Sequence, residues 1–131
     1  MSLGDSSTEL KKVRGLGASG EGGEHWIGER VTSVALLLLG VWLIASLLFL
    51  PALDHATISE WLRSPLGAVP MALFVITAFM HGADGLKVAV DDYVHEPGNN
   101  FALNTLILFL AVGGAAFALF ALGRIAFGGA A

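Results

Sequence analysis

VTSVALLLLGVWLIASLLFLPAL occupies residues 31–53 of this chain and contains no charged residue. Residues 31–50 alone contain eight leucines, together with valines, an isoleucine and a phenylalanine. Side chains of this kind favour insertion of a helix into a bilayer, here by about 4 to 8 kcal/mol in total. A water-soluble helix would instead carry polar residues along one face. The stretch therefore predicts a first transmembrane helix over 31–53.

A second span has to include ionisable residues. The apolar run Leu66–Met80 corresponds to about 22 Å of helix, whereas the hydrocarbon core of a bilayer is about 30 Å thick. The helix must therefore continue through His81 and Asp84, and Pro97 with the residues that follow it forms the next turn. We predict a second helix over 65–95.

The third span is again free of charge, from Phe101 to Gly123, and predicts a helix over 101–125. The whole chain of 131 residues is 55% hydrophobic and only 14% charged, which is typical of membrane proteins. The predicted fold class is all-α: an integral membrane protein with three transmembrane helices within residues 31–131. A polar, glycine-rich segment, residues 1–30, precedes them and is expected to form a cytoplasmic arm.

Composition narrows the possible functions. The chain has no cysteine, so it cannot itself ligate an iron–sulfur cluster. Its net charge of −4 argues against a nucleic-acid partner, because phosphate binding requires clustered lysine and arginine.

Basic residues near the ends of membrane spans are normally retained on the cytoplasmic side. One side of the predicted layout carries more of them than the other: Lys11, Lys12, Arg14, Arg30 and Lys87 against Arg63 and Arg124. The N-terminus is therefore expected to be cytoplasmic, and a bacterial inner membrane is the expected location.

His81 is the first candidate for chemistry, because it falls inside the hydrocarbon region, where each ionisable group needs a partner or a task. Neutral imidazole is a good ligand for haem iron. Gly85 lies one turn further on the same face and would let a flat macrocycle approach the helix. The alternative is a hydrogen bond from His81 to a carbonyl or hydroxyl group of a neighbouring helix.

Asp92 and Tyr93 form a second candidate site, about 16 Å beyond His81 along the same helix stripe. A phenol beside a carboxylate could donate a hydrogen bond to a quinone carbonyl and pass protons. The alternative is an interfacial tyrosine beside a solvated helix end. Arg30 likewise fits either a cytoplasmic anchor or a partner for a haem propionate.

The residues also resemble a known family, the smaller hydrophobic membrane anchor, or D subunit, of succinate dehydrogenase. The matching pieces are VRGLGASGEGGEHWIGERVTS at residues 13–33, the layout of three spans, and HGADGLKVAVDDYVH at residues 81–95.

This resemblance implies a heterotetramer with a flavoprotein, an iron–sulfur subunit and a second membrane anchor, the C subunit. By resemblance, His81 is an axial ligand of the iron of a haem b shared with that second anchor. Arg30, with Gly85 and His25, would lie around the haem, and Tyr93 with Asp92 would bind ubiquinone. The Asp91–Asp92 doublet leaves open which of the two carboxylates faces the quinone.

The chain would thus be a non-catalytic subunit that helps transfer electrons from succinate to ubiquinone. Two alternatives remain at the level of the sequence. One is the anchor of a related fumarate reductase, and the other is a cofactor-free structural or assembly protein of the membrane.

Overall fold

The computed structural model describes residues 22–128. They form four α-helices and, within this range, no β-strand: α1 Gly22–Phe49, α2 His55–Arg63, α3 Pro65–Tyr93 and α4 Pro97–Phe127. Three segments are long and apolar enough to cross a membrane, namely Trp26–Phe49, Pro65–Tyr93 and Pro97–Phe127. The predicted all-α fold with three spans is confirmed.

Helix α1 begins at Gly22 rather than near Val31. Within its first turns the guanidinium carbon of Arg30 lies 4.9 Å from the centre of the Trp26 ring. Contact between residues four apart is typical of a helix. The last part of the predicted arm is therefore helical, whereas residues 1–21 lie outside the described part of the chain.

The connection between the first two spans contains the short helix α2. Its N-terminus is capped by Asp54, whose carboxylate accepts a hydrogen bond of 2.8 Å from the backbone N–H of Thr57. That hydrogen bond lowers the pKa of Asp54. Helix α3 starts directly afterwards, and a Cβ atom at the buried Gly67 would collide with the carbonyl oxygen of Trp61. The sharp turn from α2 into α3 therefore requires glycine at position 67.

Helix α3 is central to the bundle. It packs against both α1 and α4, while in the described residues the backbones of α1 and α4 do not approach each other closely. At the second of these interfaces a Cβ atom on Gly114 would lie 2.5 Å from the ring of Phe79, so glycine lets the two helices approach closely. The neighbouring Gly113 faces open space.

Few side chains are buried within the chain. Among the apolar residues that the structure describes, only Leu62, Ala83 and Leu122 are buried, and residues as large as Phe49 and Phe127 are about nine-tenths exposed. A soluble protein of this size would bury a contiguous core. This surface is suited to contact with lipid tails and with other membrane chains.

Candidate functional site

His81 lies half-buried on α3, on the side that faces α1. Its Nδ1 atom is 3.0 Å from the hydroxyl oxygen of Thr32, which belongs to α1. The interhelical hydrogen bond considered as the alternative role for His81 is therefore present. It occupies only one of the two ring nitrogens, and Nε2 forms no hydrogen bond within residues 22–128.

A groove between α1 and α3 contains His81. Its volume is about 420 Å³. The groove is lined by Trp26, Glu29, Arg30, Ser33 and Val34 of α1 and by His81 and Gly85 of α3. We call it the α1–α3 groove. Three residues singled out from the sequence, Arg30, His81 and Gly85, thus lie around one space.

Gly85 contributes space to this groove. A Cβ atom built there would meet nothing within 4 Å, so the volume above its backbone is open. Gly85 follows His81 by four positions and therefore lies one helical turn further along the same face. A larger side chain at position 85 would project into the α1–α3 groove beside the imidazole.

Arg30 stands at the edge of the groove with its planar cation over the Trp26 ring. Such a cation–π contact holds the guanidinium in place without consuming its hydrogen-bond donors. Arg30 can therefore still pair with an anionic group of a ligand. The predicted neighbour His25 belongs to α1, but its side chain lies outside those that the structure describes.

The donor set of the groove limits the kind of metal centre that it could hold. Among the side chains that the structure describes, no cluster of three or more histidines, aspartates or glutamates is suited to a metal ion. A metal bound through His81 would therefore take its other ligands from elsewhere. A porphyrin iron meets this requirement, because four of its ligands belong to the macrocycle and the other axial position can be filled by another chain.

Asp92 and Tyr93 lie at the end of α3 and are not among the residues that line the groove. Both are exposed, Tyr93 by 83%. They share a helix with His81, as predicted, but the structure does not bring them into the same cavity.

The two neighbouring aspartates differ in their surroundings. Asp91 accepts hydrogen bonds of 2.9 Å from the side-chain amides of Asn100 and Asn104, and so ties the end of α3 to α4. Asp92 forms no hydrogen bond or ion pair with a described residue. Of the doublet, Asp92 is therefore the carboxylate that could face a ligand together with Tyr93.

Thr32 was not anticipated as part of the site. It belongs to the polar pair Thr32–Ser33 inside a segment that is otherwise apolar, and such a pair in a membrane helix commonly bonds to its own backbone or to another helix. Its partner could not be identified in advance, because this depends on the relative register of α1 and α3.

Comparison with known proteins assigns the chain to a family. The family model described as succinate dehydrogenase/fumarate reductase transmembrane subunit matches residues 5–122. Three similar proteins, from different bacteria, are each named succinate dehydrogenase hydrophobic membrane anchor subunit. The protein from Rickettsia bellii is 31% identical over 104 residues, 79% of this chain and 81% of the relative. The protein from Rickettsia conorii is 32% identical over 107 residues, which are 81% of this chain and 82% of the relative. The protein from Paracoccus denitrificans is 30% identical over 122 residues, which are 92% of this chain and 93% of the relative.

These matches cover most of each protein and include the whole segment from Arg30 to Tyr93 in the family model. The resemblance stated from the sequence is confirmed. The chain belongs to the succinate dehydrogenase/fumarate reductase transmembrane subunit family.

Proposed function

We propose that this chain is the hydrophobic membrane anchor of a succinate dehydrogenase and that His81 supplies one axial ligand to a haem b. The observation that carries the proposal is the arrangement of His81: Nδ1 lies at hydrogen-bond distance from Thr32, Nε2 has no hydrogen-bond partner among the described residues, and the residue lines a groove between two helices. Relatives named as succinate dehydrogenase anchors support the assignment of the complex.

The residues around the α1–α3 groove have distinct roles in this proposal. His81 would hold the haem iron through Nε2, and Gly85 would leave room for the flat ring beside the helix. Arg30 would pair with a propionate, with His25 on the same helix. Bound haem would supply a one-electron redox centre. The other protein ligand would come from the sister anchor, the C subunit.

Tyr93 and Asp92 form this chain's share of a ubiquinone site. The phenol of Tyr93 donates a hydrogen bond to a quinone carbonyl, and Asp92 passes protons from the cytoplasmic side. Reduction of the quinone to the quinol takes up two electrons, delivered by the iron–sulfur subunit, and two protons. The high exposure of Tyr93 within this chain agrees with a site that partner subunits complete.

The proposed assembly is a heterotetramer with a flavoprotein, an iron–sulfur subunit and the second anchor, in a bacterial inner membrane with the N-terminus in the cytoplasm. The family description also covers fumarate reductase. The names of the relatives favour succinate dehydrogenase, and identification of the quinone that co-purifies with the complex tests this choice.

The haem assignment is tested with His81→Ala in the complex purified in mild detergent. The control is His55→Ala, because His55 is an exposed residue at the start of α2, remote from the groove. We expect a reduced-minus-oxidised spectrum with a b-type haem signal in the wild type and in His55→Ala, and its loss in His81→Ala. An assembled His81→Ala complex with an unchanged signal would remove His81 as a ligand, whereas a wild-type complex without a b-type haem signal would favour a cofactor-free anchor.

A further inference from the structure

We propose that Thr32 is a positioning residue that fixes the tautomer and orientation of the His81 ring, so that Nε2 is the nitrogen left to bind iron. This inference rests on the haem ligation proposed above and adds a residue of a different helix to it. Three polar atoms that surround the Thr32 hydroxyl support this role.

The Thr32 hydroxyl has three neighbours but only one proton. Its oxygen lies 3.0 Å from the carbonyl oxygen of Gly28, 3.1 Å from that of Glu29 and 3.0 Å from Nδ1 of His81. A carbonyl oxygen can only accept a hydrogen bond, whereas a neutral imidazole nitrogen either donates or accepts according to its tautomer. The protons can therefore be placed by elimination.

If the hydroxyl donated to Nδ1, it would face both carbonyl oxygens with no proton between them. The hydroxyl oxygen and the two carbonyl oxygens would then lie close together without a hydrogen-bond donor between them. If the hydroxyl donates to a carbonyl instead, its oxygen can also accept a hydrogen bond from Nδ1, so only one of the three contacts is left without a donor instead of two. Nδ1 of His81 therefore carries the proton and donates to Thr32.

The carbonyl of Gly28 is the better acceptor for Thr32. The carbonyl of Glu29 already accepts a hydrogen bond of 2.7 Å from the hydroxyl of Ser33. The bond from Thr32 to Gly28 spans one helical turn and holds the hydroxyl in a single direction. Thr32 thus presents a fixed acceptor to α3.

A neutral ring protonated at Nδ1 has its lone pair on Nε2, which is the tautomer that an iron ligand needs. A hydrogen bond from the remaining ring N–H also orients the ring and raises the basicity of the ligating nitrogen. Removing the acceptor should weaken haem binding by about 10- to 100-fold, and it should raise the midpoint potential because the ligand donates less charge to iron.

The test uses the whole complex, purified with its partner subunits, carrying Thr32→Val or Thr32→Ser. Valine has nearly the shape of threonine but no hydroxyl, and serine restores the hydroxyl. Thr32→Ala is a smaller substitution for the case that valine hinders assembly. The matched control is Thr105→Val: Thr105 also bonds to a carbonyl one turn earlier, that of Phe101, but it lies on α4 away from His81. Haem retention in detergent and the midpoint potential of the b-type haem are measured for each.

We expect Thr32→Val and Thr32→Ala to lose haem faster and to titrate at a higher potential, and Thr32→Ser and Thr105→Val to resemble the wild type. Wild-type retention and potential in assembled Thr32→Val would overturn the role of Thr32, as would an equal change in Thr105→Val. The His81→Ala complex separates the two proposals. If it keeps its haem, the ligation itself fails, whereas if it loses haem and Thr32→Val is normal, only the positioning role fails.

Discussion

In our proposal the single residue His81 serves both helix packing and cofactor binding. Its Nδ1 bonds to Thr32 across the α1–α3 interface, its Nε2 has no hydrogen-bond partner among the described residues, and the residue lines the α1–α3 groove. An ionisable side chain in a bilayer is costly unless each polar atom has a partner. The hydrogen bond satisfies one nitrogen, and an iron ion would satisfy the other.

Tyr93 is the residue for which removal of a single oxygen is most informative. Tyr93→Phe should slow quinone reduction by roughly 2- to 10-fold, since a hydrogen bond contributes about 0.5 to 1.5 kcal/mol. Succinate oxidation by an artificial acceptor should be unaffected, because that reaction bypasses the quinone site. Equal losses in the two assays would show that the substitution disturbs the complex as a whole.

The adjacent aspartates should respond differently to substitution. Asp92→Asn should slow quinone reduction, because the amide cannot pass a proton as a carboxylate does. Asp91→Ala should leave the KM for quinone unchanged but lower the thermal stability of the complex, because the amides of Asn100 and Asn104 lose their acceptor. The two variants are compared by quinone kinetics and thermal unfolding, and the reverse pattern would exchange the roles of the two carboxylates.

At the scale of the helices, hydropathy predicts the spans well and their ends poorly. The apolar runs identify the bilayer-crossing part of α1, α3 and α4 because lipid insertion depends on side-chain transfer energy. A helix can continue beyond the hydrocarbon, as α1 does from Gly22, and nothing in its hydropathy marks that end. Helix α2 was not predicted because it is short and polar and depends on the cap at Asp54.

The interface between α3 and α4 offers a second prediction. Gly114→Ala would place a methyl group 2.5 Å from the Phe79 ring, so the ring or the helices must shift, at a cost of about 1 to 3 kcal/mol. Gly113→Ala is the control, because a Cβ atom there meets nothing within 4 Å and the change in helix propensity is the same. Thermal unfolding of the purified complex measures both.

A double variant tests whether contact with Phe79 is the cause. Phe79→Leu shortens the side chain that faces position 114, and it should recover part of the stability lost in Gly114→Ala. Equal destabilisation by Gly113→Ala and Gly114→Ala, or no recovery in the double variant, would argue against close packing at this point.

At the scale of the whole molecule, the chain forms one side of each proposed site. The sequence indicated His81, Gly85 and Arg30 because each is a residue type that stands out in its segment, and the structure places all three around one groove. The contribution of Thr32 depends on how α1 and α3 are aligned, which no local pattern encodes. The separate roles of Asp91 and Asp92 depend in the same way on contacts with α4.

Membrane orientation can be tested directly because the chain contains no natural cysteine. Single cysteines are introduced at Glu60, in α2, and at Glu96, which caps α4; both are exposed. The excess of basic residues near the N-terminal side predicts that Glu96→Cys is labelled only from the cytoplasm and Glu60→Cys only from the outside. Labelling intact cells and inverted vesicles with an impermeant maleimide decides the matter, and the opposite pattern would reverse the orientation.

The central claim, that His81 and a second chain share a haem, is tested most directly by a density map of the assembled complex at a resolution that shows side chains. We predict a porphyrin in the α1–α3 groove, its iron bonded to Nε2 of His81 and to a ligand from the second anchor, with Nδ1 on Thr32. An imidazole that faces lipid tails, in a complete complex whose groove holds no porphyrin, would contradict the account.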